Sequence, residues 1–247
     1  MSSGDPRDNL RVVLVDTRNP LNIGAAARAM ANFGVAHLRV VNPYEVAFRE
    51  ARSAVGGASL LAAAEEFPTL GEALADCVLV VGTTAGEHRE LQHHLHRLES
   101  GGRLIREQLD SGAVALVFGS EKFGLSNQEM SYCHWLVRIP TVPDTPSMNL
   151  GQAVAVCLYE LVRQPESTAP ATHPFKSGRG EDIEQLTRML LEVLDRSGYI
   201  QPRTAASSAD KLRRLIRRLH LSARDTPVLL GMVRQILWKI STTRNTE

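Results

Sequence analysis

The 247-residue chain offers few of the usual outward signs of function. No apolar run approaches the roughly 18 residues that a membrane span needs, and the opening MSSGDPRDN is polar and mixed in charge, unlike a secretion signal. These features read as a cytoplasmic protein with no membrane partner. The three cysteines, Cys77, Cys133 and Cys157, are widely spaced and form no CxxC pair. That argues against a disulfide framework and a structural zinc site, and fits a reducing compartment. Charge of one sign is missing too, because 28 Lys and Arg face 27 Asp and Glu for a formal +1. Any nucleic-acid binding must therefore come from a local patch. There is no GxxxxGK[ST] phosphate loop and no GxSxG nucleophile elbow, so NTPase and α/β-hydrolase chemistry lack their parts. The loop from Asp16 to Gly24 is not GxGxxG, and the second apolar run ends in Val41-Asn42-Pro43 without an acidic residue to hold a ribose. An ordinary dinucleotide site is disfavoured.

What is present is 43% hydrophobic content, enough for one larger domain and a small appendage. Short apolar runs at 10–15, 38–41, 78–82, 113–118 and 136–139 alternate with helical patterns, which predicts an α/β domain with a mostly parallel sheet over 10–164. A polar tail occupies 1–9. Pro20 near the start of an Ala-rich segment and Gly34 at its end frame a helix, and Leu150, Val154, Leu158 and Leu161 mark a closing one. Proline, glycine and small polar residues place a linker at 165–180. Beyond it, at 181–247, two apolar stripes (Ile183, Leu186, Leu190, Val193, Leu194 and Val228, Leu229, Val233, Ile236, Leu237, Ile240) predict a helical unit, with a further helix over 208–221 between them.

That middle helix carries Lys211, Arg213, Arg214, Arg217 and Arg218, with Arg224 beyond, while Leu212, Leu215, Ile216 and Leu219 hold the other face to a core. The pattern predicts a positive ridge outside, for phosphate contacts to RNA. His93, His94 and His96 have no carboxylate or Cys at matching spacing, so they read as a solvated loop or helix and no metal is assigned. Cys133 and Cys157 lie in apolar surroundings and read as inert core residues.

Three clusters remain, each at a strand's carboxyl end or a helix start: Asn22, Gly24 and Arg28; then 116–125 with Gly119, Glu121 and Gly124; then Pro146, Ser147, Met148, Asn149 and Leu150, followed by Ala153-Val154. Open α/β sheets bind ligands outside those strand ends, so one shared pocket is expected. In order and spacing, NxGxxxR, LVFGxExxGL and SxNL resemble the three motifs of the SpoU/TrmH branch of SPOUT RNA methyltransferases. The linker and the tail carrying Lys211, Arg213 and Arg214 resemble the bacterial TrmJ subgroup, so the likeness runs from about Leu10 to Trp238.

The resemblance implies a SPOUT fold whose C-terminal segment threads a trefoil knot, with a small C-terminal helical domain, and a homodimer with an active site shared between subunits. It implies S-adenosyl-L-methionine bent in the knot against Thr83, Thr84, Ala85, Gly119, Ile139, Pro146, Ser147 and Met148. Arg28, Asn149 and Ser147 would serve catalysis. Asn22 would face the RNA, with Lys211, Arg213, Arg214 and Arg217 from the tail. One departure stands out: relatives carry an Arg shortly after the Thr83-Thr84-Ala85 stretch, where this chain has Gly86, Glu87 and His88, leaving either a lost RNA contact or Arg89 in its place.

The implied reaction is in-line attack of a ribose 2′-oxygen on a sulfonium methyl, which a dry pocket favours because charge is consumed. It needs orientation and loss of the hydroxyl proton, and no metal. A general-base role for Arg28 conflicts with a guanidinium pKa above about 12, so stabilisation of the developing alkoxide is the better fit. The expected substrate is tRNA, giving 2′-O-methylcytidine or 2′-O-methyluridine at position 32 of the anticodon loop. The alternatives are rRNA 2′-O-methylation and a non-catalytic RNA-binding protein on the same fold.

Overall fold

The computed structural model describes residues 5–44, 57–85, 92–163, 176–201, 203 and 205–243. The apolar runs form parallel strands buried on both faces, as continuous Val and Leu stretches require. They are β1 (Leu10–Val15), β2 (His37–Val41), β3 (Glu65–Phe67), β4 (Leu79–Thr83), β5 (Leu95–Arg97), β6 (Val114–Phe118) and β7 (Trp135–Arg138). They make one seven-stranded sheet in the order β3-β2-β1-β6-β4-β7-β5, with every pairing parallel. Five strands match the sequence reading. The two edge strands escaped it because each has three residues and is largely exposed, leaving no apolar run to detect.

Alternation sends Val12 and Leu14 of β1 into one core and Val13 and Val15 into the other. The first core is covered by α1 (Pro20–Phe33), α4 (Leu98–Leu109) and α6 (Leu150–Val162), with α2 (Ala58–Ala62) beside α1. The second is covered by the short helices α3 (Leu70–Ala73) and α5 (Asn127–Met130). Asn19 caps α1, Pro20 opens it and Gly34 ends it at φ 69°, as the sequence predicts. α1 and α6 pack closely: a Cβ on Gly151 would lie 2.5 Å from that of Ala25.

α7 (Gly180–Arg196), α8 (Ala205–Arg218) and α9 (Asp225–Thr243) share a separate apolar core of Ile183, Leu186, Ile216, Leu230 and Val233. Gly198, at φ 78°, follows α7. Of the expected linker, residues 165–175 lie outside the described residues. Its end is held in place: the Gly178 N–H donates to Leu221 O, and the Ala223 N–H to Lys176 O. No described helix is long and apolar enough to cross a membrane.

The structure corrects the facing of α8 in part: Ile216 and Leu212 pack in the tail core and Lys211 and Arg218 are exposed, as expected, but the remaining positions differ. Leu215 and Leu219 are 46% and 55% exposed, whereas Arg214 and Arg217 are 9% and 2% exposed. The expected outward ridge of Arg213, Arg214 and Arg217 is thus corrected. The reason is that α8 is sandwiched between α7 and the Ser131–His134 turn before β7. There the Arg213 guanidinium stacks 4.3 Å from the Tyr132 ring centroid, pairs with Glu184 at 3.3 Å and Asp210 at 3.4 Å, and donates to Ser131 Oγ. Arg218 donates to Gln92 O, while Lys211 stays exposed.

The histidine cluster is corrected as well. His93 is buried, and burial with the nearby Arg214 and Arg218 charges lowers its pKa to about 4. His96 sits in β5 with its ring 4.9 Å from Trp135. Among the described residues no His, Cys, Asp and Glu grouping suited to a metal occurs. Cys133 and Cys157 are buried core thiols, as expected, and burial pushes both, like Cys77, up to about 12.

Candidate active site

A cleft of about 630 Å³ opens at the carboxyl ends of β4, β6 and β7. Each wall follows from local chemistry. At the end of β4, Thr83 Oγ1 donates to Val117 O at 3.0 Å and the Thr84 N–H donates to Val137 O at 3.0 Å, which fixes Thr83, Thr84 and Ala85 at the rim. At the end of β6, the chain folds back on itself from Gly119 to Gly124. A Cβ on Gly119 would lie 2.2 Å from the Gly124 carbonyl carbon, and Gly124 has φ 64°, so both positions demand glycine. After β7, Ile139 and the 146–149 segment form the third wall, with Thr141 Oγ1 donating to Pro146 O at 3.0 Å.

Side chains tie the three clusters together. The Glu121 carboxylate accepts from the Arg18 N–H at 3.3 Å, the Asn19 N–H at 3.1 Å and Asn22 Nδ2 at 3.2 Å. Asn149 Nδ2 donates to Asn22 Oδ1 at 2.8 Å. Asn149 Oδ1 accepts from the Gly151 and Gln152 N–H groups and so caps α6. At the sheet's carboxyl edge, Asp16 and Asn42 both adopt positive φ, and Asn42 Nδ2 donates to Asp16 Oδ1 at 2.6 Å. Asn42 thus serves the loop.

Thr83, Thr84, Ala85, Gly119, Ile139, Pro146, Ser147, Met148, Asn149 and Asn22 all line this one cleft. Arg28 does not. It is exposed on α1 with no hydrogen bond or ion pair to a described residue. It lies six residues past Asn22, about 9 Å further along the helix and roughly 120° around it. Lys211, Arg213, Arg214 and Arg217 lie on α8, outside the lining, and the Gly86–Arg89 departure falls outside the described residues. Ser120, Lys122, Phe123 and Leu125 are lining residues that the sequence did not single out, and Glu121 proves to be the hub. The signal for them was the 116–125 motif itself.

This geometry agrees with the likeness to known proteins. The model of the SpoU rRNA Methylase family matches residues 9–159. The protein named tRNA (cytidine/uridine-2'-O-)-methyltransferase TrmJ from Yersinia pestis (strain Pestoides F) is 37% identical over 239 residues, covering 92% of this chain and 91% of the relative. The protein of that name from Cronobacter sakazakii is 35% identical over 235 residues, covering 92% and 96%. The crystal structure of TrmJ from Z. mobilis ZM4 superposes with a TM-score of 0.79 at 29% identity, covering 92% of this chain and 98% of that one. With the family model spanning more than half of the residues and such relatives matching over nearly all of them, the chain belongs to the SpoU methylase family.

Proposed function

We propose that the protein is an S-adenosylmethionine-dependent tRNA (cytidine/uridine) 2′-O-methyltransferase of the cytoplasm, modifying position 32 of the anticodon loop as a homodimer. The observation that carries this reading is the convergence of all three motifs on one cleft through the Glu121, Asn22 and Asn149 relay. The names of relatives matched along both the sheet unit and the helical tail support tRNA as substrate. The family model's own description speaks of rRNA, and motifs that face cofactor and ribose carry little base information. The match through the tail favours tRNA over rRNA, and the intact relay favours an enzyme over a non-catalytic RNA binder.

The cleft fits the cofactor. Thr83, Gly119, Ile139 and the 146–148 segment, which line it together, would hold the cofactor, in the region where a trefoil knot is proposed. When bound, S-adenosylmethionine supplies an activated methyl on a sulfonium. The protein's own work is orientation and electrostatics. Asn149 and Ser147 face the reacting side, and Asn149 is held in place by Asn22 and the α6 N-terminus. Arg28 of one subunit reaches the cleft of the other and stabilises the developing alkoxide. Its position outside its own cleft, exposed and unpaired, supports that arrangement.

Three units are proposed: a methyltransferase unit over 10–164, a linker over 165–180 and an RNA-binding helical unit over 181–247, with 1–9 as a tail. Lys211 and Arg214 are the tail contacts retained for RNA. Arg213 and Arg217 instead dock α8: the Arg213 guanidinium is taken up by Tyr132, Glu184 and Asp210, and Arg217 is only 2% exposed. A filter assay with labelled S-adenosylmethionine tests the reading: label should enter tRNA, not rRNA, and label in neither would overturn it.

A further inference from the structure

Between the sheet unit and α8 lies a second cavity of about 200 Å³. Its walls come from both sides of the seam: His93 and Asn127 from the sheet unit, and Ser207, Asp210, Lys211 and Arg214 from α8. Its charge is unbalanced. Arg214 is 9% exposed, yet it makes no hydrogen bond or ion pair with any described residue. Asp210 lies one turn earlier and would be its ordinary i,i+4 partner. Asp210 pairs with Arg213 instead, at 3.4 Å. The Lys211 ammonium is exposed beside the opening, and His93 is buried in the wall with Nε2 lacking any hydrogen-bond partner. None of the Arg214 guanidinium nitrogens is both buried and without a partner, in contrast to Arg217, so the Arg214 charge is accessible and open to an anion.

We propose that this cavity holds one phosphate of the substrate RNA backbone, gripped by Arg214 and Lys211 from α8 and by His93 and Asn127 from the sheet unit. The inference rests on the functional reading above and extends it to a defined second contact. On the sheet side, Asn127 follows by two residues Leu125, which lines the cleft. An RNA with its target ribose in the cleft carries a phosphate at every nucleotide, and arginine is the side chain best suited to bind one.

The test compares wild type, Arg214→Met, His93→Gln and the charge control Arg188→Met for tRNA affinity, salt dependence and melting temperature. R188M removes an exposed α7 charge and should behave as wild type. R214M should bind tRNA about tenfold more weakly, with a salt slope shallower by about one. Its melting temperature should be unchanged, because the Arg214 guanidinium holds no described residue in place. H93Q, which changes no charge at neutral pH, should also weaken binding. Wild-type affinity and slope in R214M would overturn the proposal, and so would a lowered melting temperature with unchanged affinity. Inorganic phosphate is the other source of the same chemistry. If millimolar phosphate moves the His93 ring resonance while R214M keeps wild-type tRNA affinity, the cavity is a small-anion site and the RNA assignment is overturned. Failure of the functional reading looks different, since wild type would then methylate no tRNA at all.

Discussion

Asn149 Nδ2 donates to Asn22 Oδ1 at 2.8 Å, joining residues 127 positions apart. The direction of this bond is fixed from both ends. The Glu121 carboxylate can only accept, so Asn22 must turn its amide nitrogen to Glu121 and its oxygen to Asn149. The α6 N–H groups can only donate, so Asn149 must turn its oxygen to them and its nitrogen to Asn22.

Replacing Asn149 by Asp therefore separates stability from activity. Asp still caps α6, so the loss of about 1 kcal/mol expected for Ala at a cap is avoided. It also sets oxygen against oxygen at Asn22. Asn149→Asp should keep the wild-type melting temperature within about 3 °C and lose at least tenfold in methyl transfer, whereas Asn149→Ala should lose both. Melting curves and single-turnover assays check this, and an active Asp variant would count against the relay.

Arg28→Ala should abolish methyl transfer while S-adenosylmethionine affinity, measured by calorimetry, stays within a few-fold. Arg28 lies outside its own cleft, so mixing this variant with a cofactor-site variant such as Gly119→Val should restore some activity through heterodimers. Two inactive proteins that stay inactive when mixed, although heterodimers form, would refute the shared site.

The docking of α8 yields a thiol prediction. Cys77, Cys133 and Cys157 are buried, with thiols pushed up to about 12, so the native protein should resist Ellman's reagent. Arg213→Ala removes the Tyr132 stack and the Glu184 pair, at a loss of at least about 1 kcal/mol. It should lower the melting temperature and speed the reaction of Cys133, three residues before β7's second residue Leu136 and within the turn that α8 covers. Unaltered thiol kinetics would contradict the docking role.

Acid should loosen the same seam. His134 Nδ1 accepts the Val80 N–H at 3.0 Å, and burial holds its pKa well below the ordinary value. His220, whose ring lies 5.3 Å from that of His134, is lowered by burial too, and His93 is lowered to about 4. In the unfolded chain these groups take up protons near about pH 6.5. Stability from them is therefore complete above that value and is lost as pH falls toward the lower folded values. The melting temperature should drop by at least about 3 °C between about pH 7 and about pH 5. His134→Asn, which retains an acceptor for Val80, should flatten that profile, and a flat wild-type profile would exclude the effect.

The sequence revealed the five central strands because β1, β4 and β6 are buried on both faces and read as uninterrupted Val and Leu. It missed β3 and β5, whose exposed residues carry no such pattern. The cleft was legible because Gly119, Gly124 and Asn149 are demanded by local geometry, and local demands show in short motifs. The facing of α8 was legible only for Leu212 and Ile216, which pack in the tail core, and for Lys211 and Arg218, which stay exposed. An amphipathic pattern says which residues differ, and only tertiary contact decides that Tyr132 and Glu184 draw Arg213 inward while Leu215 and Leu219 remain outside.

The central claim is methyl transfer to a tRNA ribose by this cleft. Its most direct test incubates the purified protein with unmodified tRNA and S-adenosylmethionine and maps 2′-O-methylation by resistance to alkaline cleavage. The account predicts one protected linkage, after the pyrimidine at position 32, present with wild type and absent with Arg28→Ala. Methylation on a base, protection only in rRNA, or full protection with Arg28→Ala would contradict it.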